Sequence, residues 1–333
     1  MDDDPQIPED PTPPVLPPPV NSLQPTQLAQ PQDAKSETLK WIFVGPNGIR
    51  AGWSLLIYFA IMALTLVPIG IVLVIFHPDL TPKTMTPTMA MFGEAITLFM
   101  VLVPTVVMAV IERKSILSYG FLDKRAPLRF FGGFLIGFFA ISLLMGLLAC
   151  FHLVAFDRLS LTGVEAIKYA ALWGLSFFLV ALFEESFFRG YVQYTLTRGL
   201  NFWWAGLITS SIFGITHAGN TGENWLGLLQ VLFAGLLFIL SLRLTGSLLW
   251  SLGLHAGWDW AQSYFYGVAD SGMVVQGHLL SMHPIGNPTW NGGAAGPEGS
   301  PLAVLVEIAI GVGIWLFWRG RSDADEAPES AMV

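Results

Sequence analysis

The residues with the clearest capacity for chemistry form three short patterns in the second half of a largely apolar chain. They are Glu184-Glu185-x3-Arg189, Phe213-x3-His217 and His255-x3-Asp259. A buried carboxylate can take a proton from water, one imidazole can orient that water, and a second can stabilise an oxyanion. The same residue types also suit zinc, which binds imidazole and carboxylate ligands and can keep one position for water.

Helical spacing separates the roles of the two adjacent acids. Glu185 and Arg189 are four residues apart, so they share a helix face and can form an ion pair that lets both tolerate the membrane. Glu184 is turned about 100° away from Glu185 and can face a cavity. We therefore predict a supporting ion pair beside one reactive carboxylate.

The depth of the three patterns brings them together. A polar turn near Asn201 lies 17 residues after Glu184 and 16 residues before His217. At about 1.5 Å per residue, both side chains lie roughly 25 Å from that turn on neighbouring antiparallel helices. His255 and Asp259 can reach a comparable level on a third helix. The sequence thus predicts one buried polar pocket shared by three helices.

Each pattern alone also has a structural interpretation. A single histidine near a helix end, such as His217, is more often structural than catalytic, and His255 with Asp259 could be an orienting hydrogen bond. Two further acids, Glu94 and Glu307, fall within apolar segments but near their ends. We interpret those two as interfacial.

The composition of the chain predicts that these patterns belong to a membrane protein. The chain has 333 residues, of which 53% are hydrophobic and 12% charged, and its mean hydropathy is +0.59. These values predict an all-α, polytopic membrane bundle, and the absence of a basic patch excludes nucleic-acid binding. About eight segments could span, namely 51–76, 88–111, 130–154, 168–190, 203–219, 225–244, 246–266 and 302–318.

The remaining segments of the chain are predicted to be tails and loops. Residues 1–39 are acidic and carry ten prolines, which predicts a disordered tail, and 321–333 form a second one. The transmembrane domain then covers 40–320. Segment 267–301 contains no Lys or Arg and is rich in Gly, Pro and Asn, so we predict an irregular outer loop.

Lysine and arginine placement predicts the orientation. With the N-terminus in the cytoplasm, twelve basic residues lie inside and three outside, leaving Arg189 within the membrane. We therefore expect a multi-pass protein of the plasma (inner) membrane with both termini cytoplasmic.

Together and in this order, the three patterns resemble the CPBP family of intramembrane proteases, also called the CAAX-protease and bacteriocin-processing (Abi) family. The resemblance covers roughly 110–320 and is firm over 168–263. Gly190 and Gln193 also fit the usual continuation of the first pattern.

The resemblance implies an endopeptidase in which Glu184 activates water with help from His217. His255 and Asp259 would hold the oxyanion or bind metal, and Glu185 with Arg189 would support them. A zinc enzyme using Glu184, His217, His255 and Asp259 and a metal-free glutamate mechanism are both open. The expected substrate is a membrane-associated protein or peptide, with or without a prenyl group.

Two non-proteolytic alternatives remain at this stage. Intramembrane acids and histidines could form the relay of a proton-coupled transporter. The chain could also be a catalytically silent immunity or scaffold protein. The absence of repeat symmetry disfavours the first alternative, and the complete set of patterns disfavours the second.

Overall fold

The computed structural model describes residues 41–46, 48–76 and 84–319. Both predicted tails, 1–39 and 321–333, lie outside these residues. Trp41, Ile42 and Phe43 belong to a separate unit and are helical. The remainder is mostly helical, as predicted, and the chain is an integral multi-pass membrane protein.

The helices and strands follow the chain in a simple order. The strands are β1 Val44–Gly45, β2 Gly48–Ile49, β3 Val154–Leu159 and β4 Leu280–Pro284. The helices are α1 Ala51–Phe76, α2 Pro87–Glu112, α3 Ala126–Cys150, α4 Gly163–Glu185, α5 Val192–Gly199, α6 Phe202–Thr216, α7 Trp225–Thr245, α8 Leu248–Asp259, α9 Pro288–Asn291 and α10 Pro301–Arg319. Two π-turns, Ser186–Tyr191 and Trp260–Phe265, directly follow α4 and α8.

Each of the eight predicted spans contains a helix, but two of these helices fall short of a membrane span, so the predicted number of eight is not met. Among the described residues, six helices are long and apolar enough to cross a membrane. Helix α6 has 15 residues and α8 has 12, which gives about 22 Å and 18 Å against a hydrocarbon thickness of about 30 Å. Both short helices end at predicted site residues, α6 just before His217 and α8 at Asp259.

Helix α8 is held against α3 by glycines on both helices. A Cβ at Gly133 or Gly137 would lie 2.1 Å from a carbonyl oxygen of α8. A Cβ at Gly253 or Gly257 would lie 2.0 Å and 2.2 Å from carbonyl oxygens of α3. Only glycine permits this approach. Because His255 is two residues from both α8 glycines, it lies on the opposite face of α8.

The apolar core lies mainly along this helix pair and α10. Ile141, Leu144, Trp258 and Val306 are buried within one cluster there. Their burial holds the helix face behind Asp259 in place, since close-packed side chains resist displacement.

The loop end of the bundle, which carries residues 267–300, is more ordered than predicted. Strand β4 pairs antiparallel with β3, from Val154 opposite Pro284 to Leu159 opposite Leu280. Helix α9 and a 3-10 turn at Pro297–Gly299 follow. The prediction of an irregular loop therefore holds only in part, because residues Leu280–Pro284 pair with a strand far away in sequence.

The opposite end is tied by a buried cluster that we call the Glu112 clasp. One Glu112 oxygen accepts hydrogen bonds from Arg198 at 2.9 Å, Tyr191 at 2.9 Å and Ser54 at 3.1 Å. The second accepts from Tyr119 at 3.5 Å. The clasp links α1, α2 and α5 to the end of the first π-turn.

Candidate active site

The first pattern lies at the end of α4, where helical geometry still holds. Glu185 is fully buried, and its Oε1 lies 3.1 Å from Nη1 of Arg189. Both side chains are inaccessible to solvent. The predicted contact is present, and it bridges the start of the first π-turn, whose Gly190 has a non-helical backbone. π-turns often occur at functional sites.

Aromatic rings surround the Arg189 guanidinium. Its centre lies 4.3 Å from the ring centroid of Phe213 and 5.1 Å from that of Phe238. Gly235 supplies the space, because a Cβ there would lie 2.8 Å from Nη2 of Arg189. Rings at these distances stabilise a desolvated cation. The first pattern, α6 and α7 therefore meet at one buried charge.

His255 lies among three carboxylates. Its Nδ1 is 3.3 Å from Oε1 of Glu185, and its Nε2 is 3.5 Å from Oε2 of Glu184 and 3.4 Å from Oδ2 of Asp259. Phe238 stacks on the imidazole, with centroids 5.2 Å apart. With an acceptor at both nitrogens, the ring is suited to carry or share a second proton.

His217 is oriented by the backbone of its own helix. Its Nδ1 lies 2.8 Å from the carbonyl oxygen of Phe213, and its ring packs edge-to-face on the Phe213 ring. A carbonyl can only accept, so Nδ1 donates and Nε2 is left as an acceptor. Within the described residues, His217 has no hydrogen bond to Glu184, His255 or Asp259.

All four predicted reactive residues line one cavity of about 470 Å³. Glu184 and Asp259 are largely buried but reach it, with side-chain exposures of 17% and 13%. Apolar walls come from several elements; they include Met85, Trp173, Phe177, Phe187, Leu237 and Val275. The structure thus brings together the three patterns that the sequence predicted would meet.

Four more acids line the same cavity, and the sequence analysis missed them. Glu94 and Glu307 were interpreted as interfacial, and that interpretation is wrong because both line the cavity. Asp270 and Glu298 come from the loop end. The available signal was the presence of any ionisable residue within an apolar span, which by itself indicates function more often than an interface.

The loop acids are fixed by the second π-turn. Gln262 accepts from the Trp258 indole at 2.9 Å and donates to Oε2 of Glu298 at 3.0 Å. Ser263 donates to Oδ2 of Asp270 at 2.9 Å. Burial raises the pKa of Asp270 to about 6, and burial also raises that of Glu298 well above its usual range. The loop acids are therefore held at the cavity by the π-turn that continues α8.

The residues do not form a ready metal site. Among the described residues, no group of three or more His, Cys, Asp or Glu side chains is arranged to hold a metal ion. His217 is also turned toward its own helix through Nδ1. Zinc binding by Glu184, His217, His255 and Asp259 stays a prediction.

Comparison with known proteins supports one family. Residues 166–261 match the family described as Rce1-like, type II CAAX prenyl endopeptidase. The resemblance to CAAX-type proteases is confirmed over this segment. The match runs from within α4 into the second π-turn and contains all three patterns. A search among curated proteins finds no match.

The matched segment supports an intramembrane CAAX-type protease in general terms. It also coincides with the helices that form most of the cavity.

Proposed function

We propose that this protein is an intramembrane endopeptidase in which Glu184 activates a water molecule. The observation that carries the proposal is the convergence of Glu184, His217, His255 and Asp259 on one cavity of about 470 Å³. Part of a peptide segment can enter a space of this size. General-base catalysis needs a carboxylate within reach of both water and substrate.

In the proposed reaction, water attacks the carbonyl carbon of the scissile peptide bond. Glu184 takes one proton from that water as the new carbon–oxygen bond forms. The free Nε2 of His217 accepts a hydrogen bond from the same water and orients it, since its Nδ1 is committed to the Phe213 carbonyl. Glu184 then returns the proton to the departing amine as the carbon–nitrogen bond breaks.

His255 would stabilise the oxyanion of the tetrahedral intermediate. Three carboxylates around the ring favour its protonated form, which can donate a charged hydrogen bond. The donated proton is the one on Nε2, since Nδ1 is committed to Glu185, and Asp259, 3.4 Å from Nε2, would favour the presence of that proton. An ionised aspartate only accepts hydrogen bonds, so direct donation to the oxyanion is assigned to His255.

Glu185 and Arg189 would support His255 at its Nδ1, the ring nitrogen that does not face the oxyanion. The Arg189 charge compensates Glu185, which in turn accepts from Nδ1 of His255. The pair therefore fixes the imidazole that faces the oxyanion without itself contacting substrate.

The proposed substrates are membrane-associated proteins or peptides, with or without a prenyl group, cut within a plasma (inner) membrane. Both termini of the protease would lie in the cytoplasm, following its basic residues. The loop end and the cavity that it covers would then lie toward the outer face.

N-terminal peptide profiling of host membranes tests this function. Membranes containing the wild type are compared with membranes containing equal amounts of Glu184→Gln. New peptide termini present only with the wild type are expected. Identical profiles, with the variant folded, would contradict proteolysis; Glu184-dependent solute flux would then favour the transporter, and full function of the variant would favour the scaffold.

A further inference from the structure

The cavity beside the reactive residues has a pronounced charge asymmetry. Six acids line it, and none of the described lining residues is Lys or Arg. They are Glu94, Glu184, Asp259, Asp270, Glu298 and Glu307. Arg189 lies behind the wall and is committed to Glu185. The two lining histidines, His217 and His255, provide the only cationic capacity within that described wall.

Among these acids, Glu307 is buried and has one carboxylate oxygen without a hydrogen-bond partner among the described residues. The residue is only 4% exposed, and its Oε1 accepts from Nε2 of Gln230 at 2.6 Å. Its Oε2 has no hydrogen-bond partner among the described residues. A buried carboxylate oxygen without a donor carries a desolvation cost that an incoming cation would remove. The neighbouring loop acids differ, because Glu298 already accepts through both oxygens.

Glu307 lies within reach of a substrate side chain close to the reactive residues. Gln230, its partner, lies on α7 eight residues before Phe238, the residue that stacks on His255. Eight helical residues span about 12 Å. An extended peptide advances about 3.3 Å per residue, and a basic side chain adds several ångströms of reach. A cationic side chain within a few residues of the scissile bond can therefore meet Glu307.

From this geometry we propose that the enzyme selects substrate segments that carry a Lys or Arg side chain close to the scissile bond, with Glu307 as its main acceptor. This proposal rests on the proposed function and names the substrate class for the same site. The apolar walls accept the flanking residues, and the acids disfavour an anionic group nearby.

Equilibrium binding provides the test. The full chain carrying Glu184→Gln is placed in nanodiscs and titrated with three short, end-blocked, dye-labelled apolar peptides that differ only by a central Lys, Gln or Glu. The Lys peptide is expected to bind about tenfold more tightly than the Gln peptide, as one charged hydrogen bond implies, and the Glu peptide most weakly.

Matched variants locate the effect. Adding Glu307→Gln is expected to remove most of the Lys preference. Adding Glu165→Gln, which neutralises an exposed acid paired with Lys168 outside the cavity, is expected to retain it. If the Glu307 variant does not fold, Asp270→Asn serves instead and is expected to weaken the preference. Equal affinity of the Lys and Gln peptides, no binding of any peptide at millimolar concentration, or equal loss in the Glu165 variant would overturn the proposal.

Cleavage of the same peptides by the wild type separates this proposal from the function on which it rests. If no peptide is cut but the Lys preference in binding persists, the proteolytic function fails and the cationic site stands. If peptides are cut at equal rates and bound equally, proteolysis stands and the proposed selectivity is overturned.

Discussion

Two buried ionic clusters in this molecule differ in both their residues and their surroundings. The Glu112 clasp surrounds one carboxylate with an arginine, two tyrosines and a serine, so both oxygens of Glu112 are occupied. The cluster around His255 instead gathers three carboxylates about one imidazole and borders a cavity. Donors outnumber acceptors in the clasp, and acceptors outnumber donors at the site.

This difference shows how a membrane bundle can separate stability from chemistry. A satisfied buried network fixes helices, whereas a partly satisfied one keeps groups ready for water and substrate. The first π-turn joins the two, because Tyr191 at its end is in the clasp and Arg189 within it supports the site. We expect substitutions in the clasp to affect mainly stability and those at the cavity to affect mainly turnover.

Glu184→Gln is expected to have the largest effect. It removes the proposed base with little change in shape, so cleavage should fall by about 10³-fold, within the range for general-base catalysis. Initial rates on a substrate found by terminal profiling measure this. Retention of more than a tenth of the wild-type rate would place the base elsewhere.

Arg189→Met is expected to destabilise the protein and to disturb both the His255 cluster and the Glu112 clasp. It leaves the carboxylate of Glu185 buried without its partner, which costs about 3–5 kcal/mol when one member of a buried pair is removed. A fall in the thermal midpoint of the detergent-solubilised protein measures it. The double variant Glu185→Gln, Arg189→Met should recover part of the loss; a midpoint as low as that of the single variant would argue against the pair.

Glu112→Gln is expected to have a moderate effect that is confined to stability. The neutral amide weakens the acceptor for Arg198, Tyr191 and Ser54, which should lower the free energy of unfolding by about 1–3 kcal/mol. Turnover per folded molecule should stay within a few-fold of the wild type. A drop as large as that of Glu184→Gln would mean that the clasp participates in catalysis.

Measuring the metal content would distinguish the cavity cluster from the Glu112 clasp, because only the cavity cluster contains imidazoles. A zinc site built from His217 and His255 would lose its metal in either His→Ala variant, while Glu112→Gln would keep it. Elemental analysis of purified protein measures the ratio of zinc to chain. Protein that never contains stoichiometric metal would contradict the zinc prediction.

Much of the site was predictable because it depends on local spacing. The Glu185–Arg189 contact follows from their separation by four residues, and the meeting of Glu184 with His217 and His255 follows from equal depth on neighbouring helices. These arguments need only the helical rise and periodicity. The eight helical segments were predictable for the same reason, since long apolar runs leave few alternatives.

The parts that could not be predicted depend on contacts distant in sequence. The position of the loop acids depends on Gln262 reaching Glu298, and β4 depends on pairing with β3 across more than a hundred residues. Segments 203–219 and 246–266 were expected to span, but their α-helices end at Thr216 and Asp259, beside the site residues. Interior acids such as Glu307 look interfacial when only their distance from a segment end is counted.

The most direct test of the division between the two clusters measures turnover and thermal stability in one preparation for the wild type, Glu184→Gln and Glu112→Gln. We expect Glu184→Gln to lose cleavage while keeping its unfolding midpoint within a few degrees. We expect Glu112→Gln to show a clearly lower midpoint with nearly normal cleavage per folded molecule. An active Glu184→Gln, or a Glu112→Gln that is stable but inactive, would contradict the assignment of chemistry to the His255 cluster.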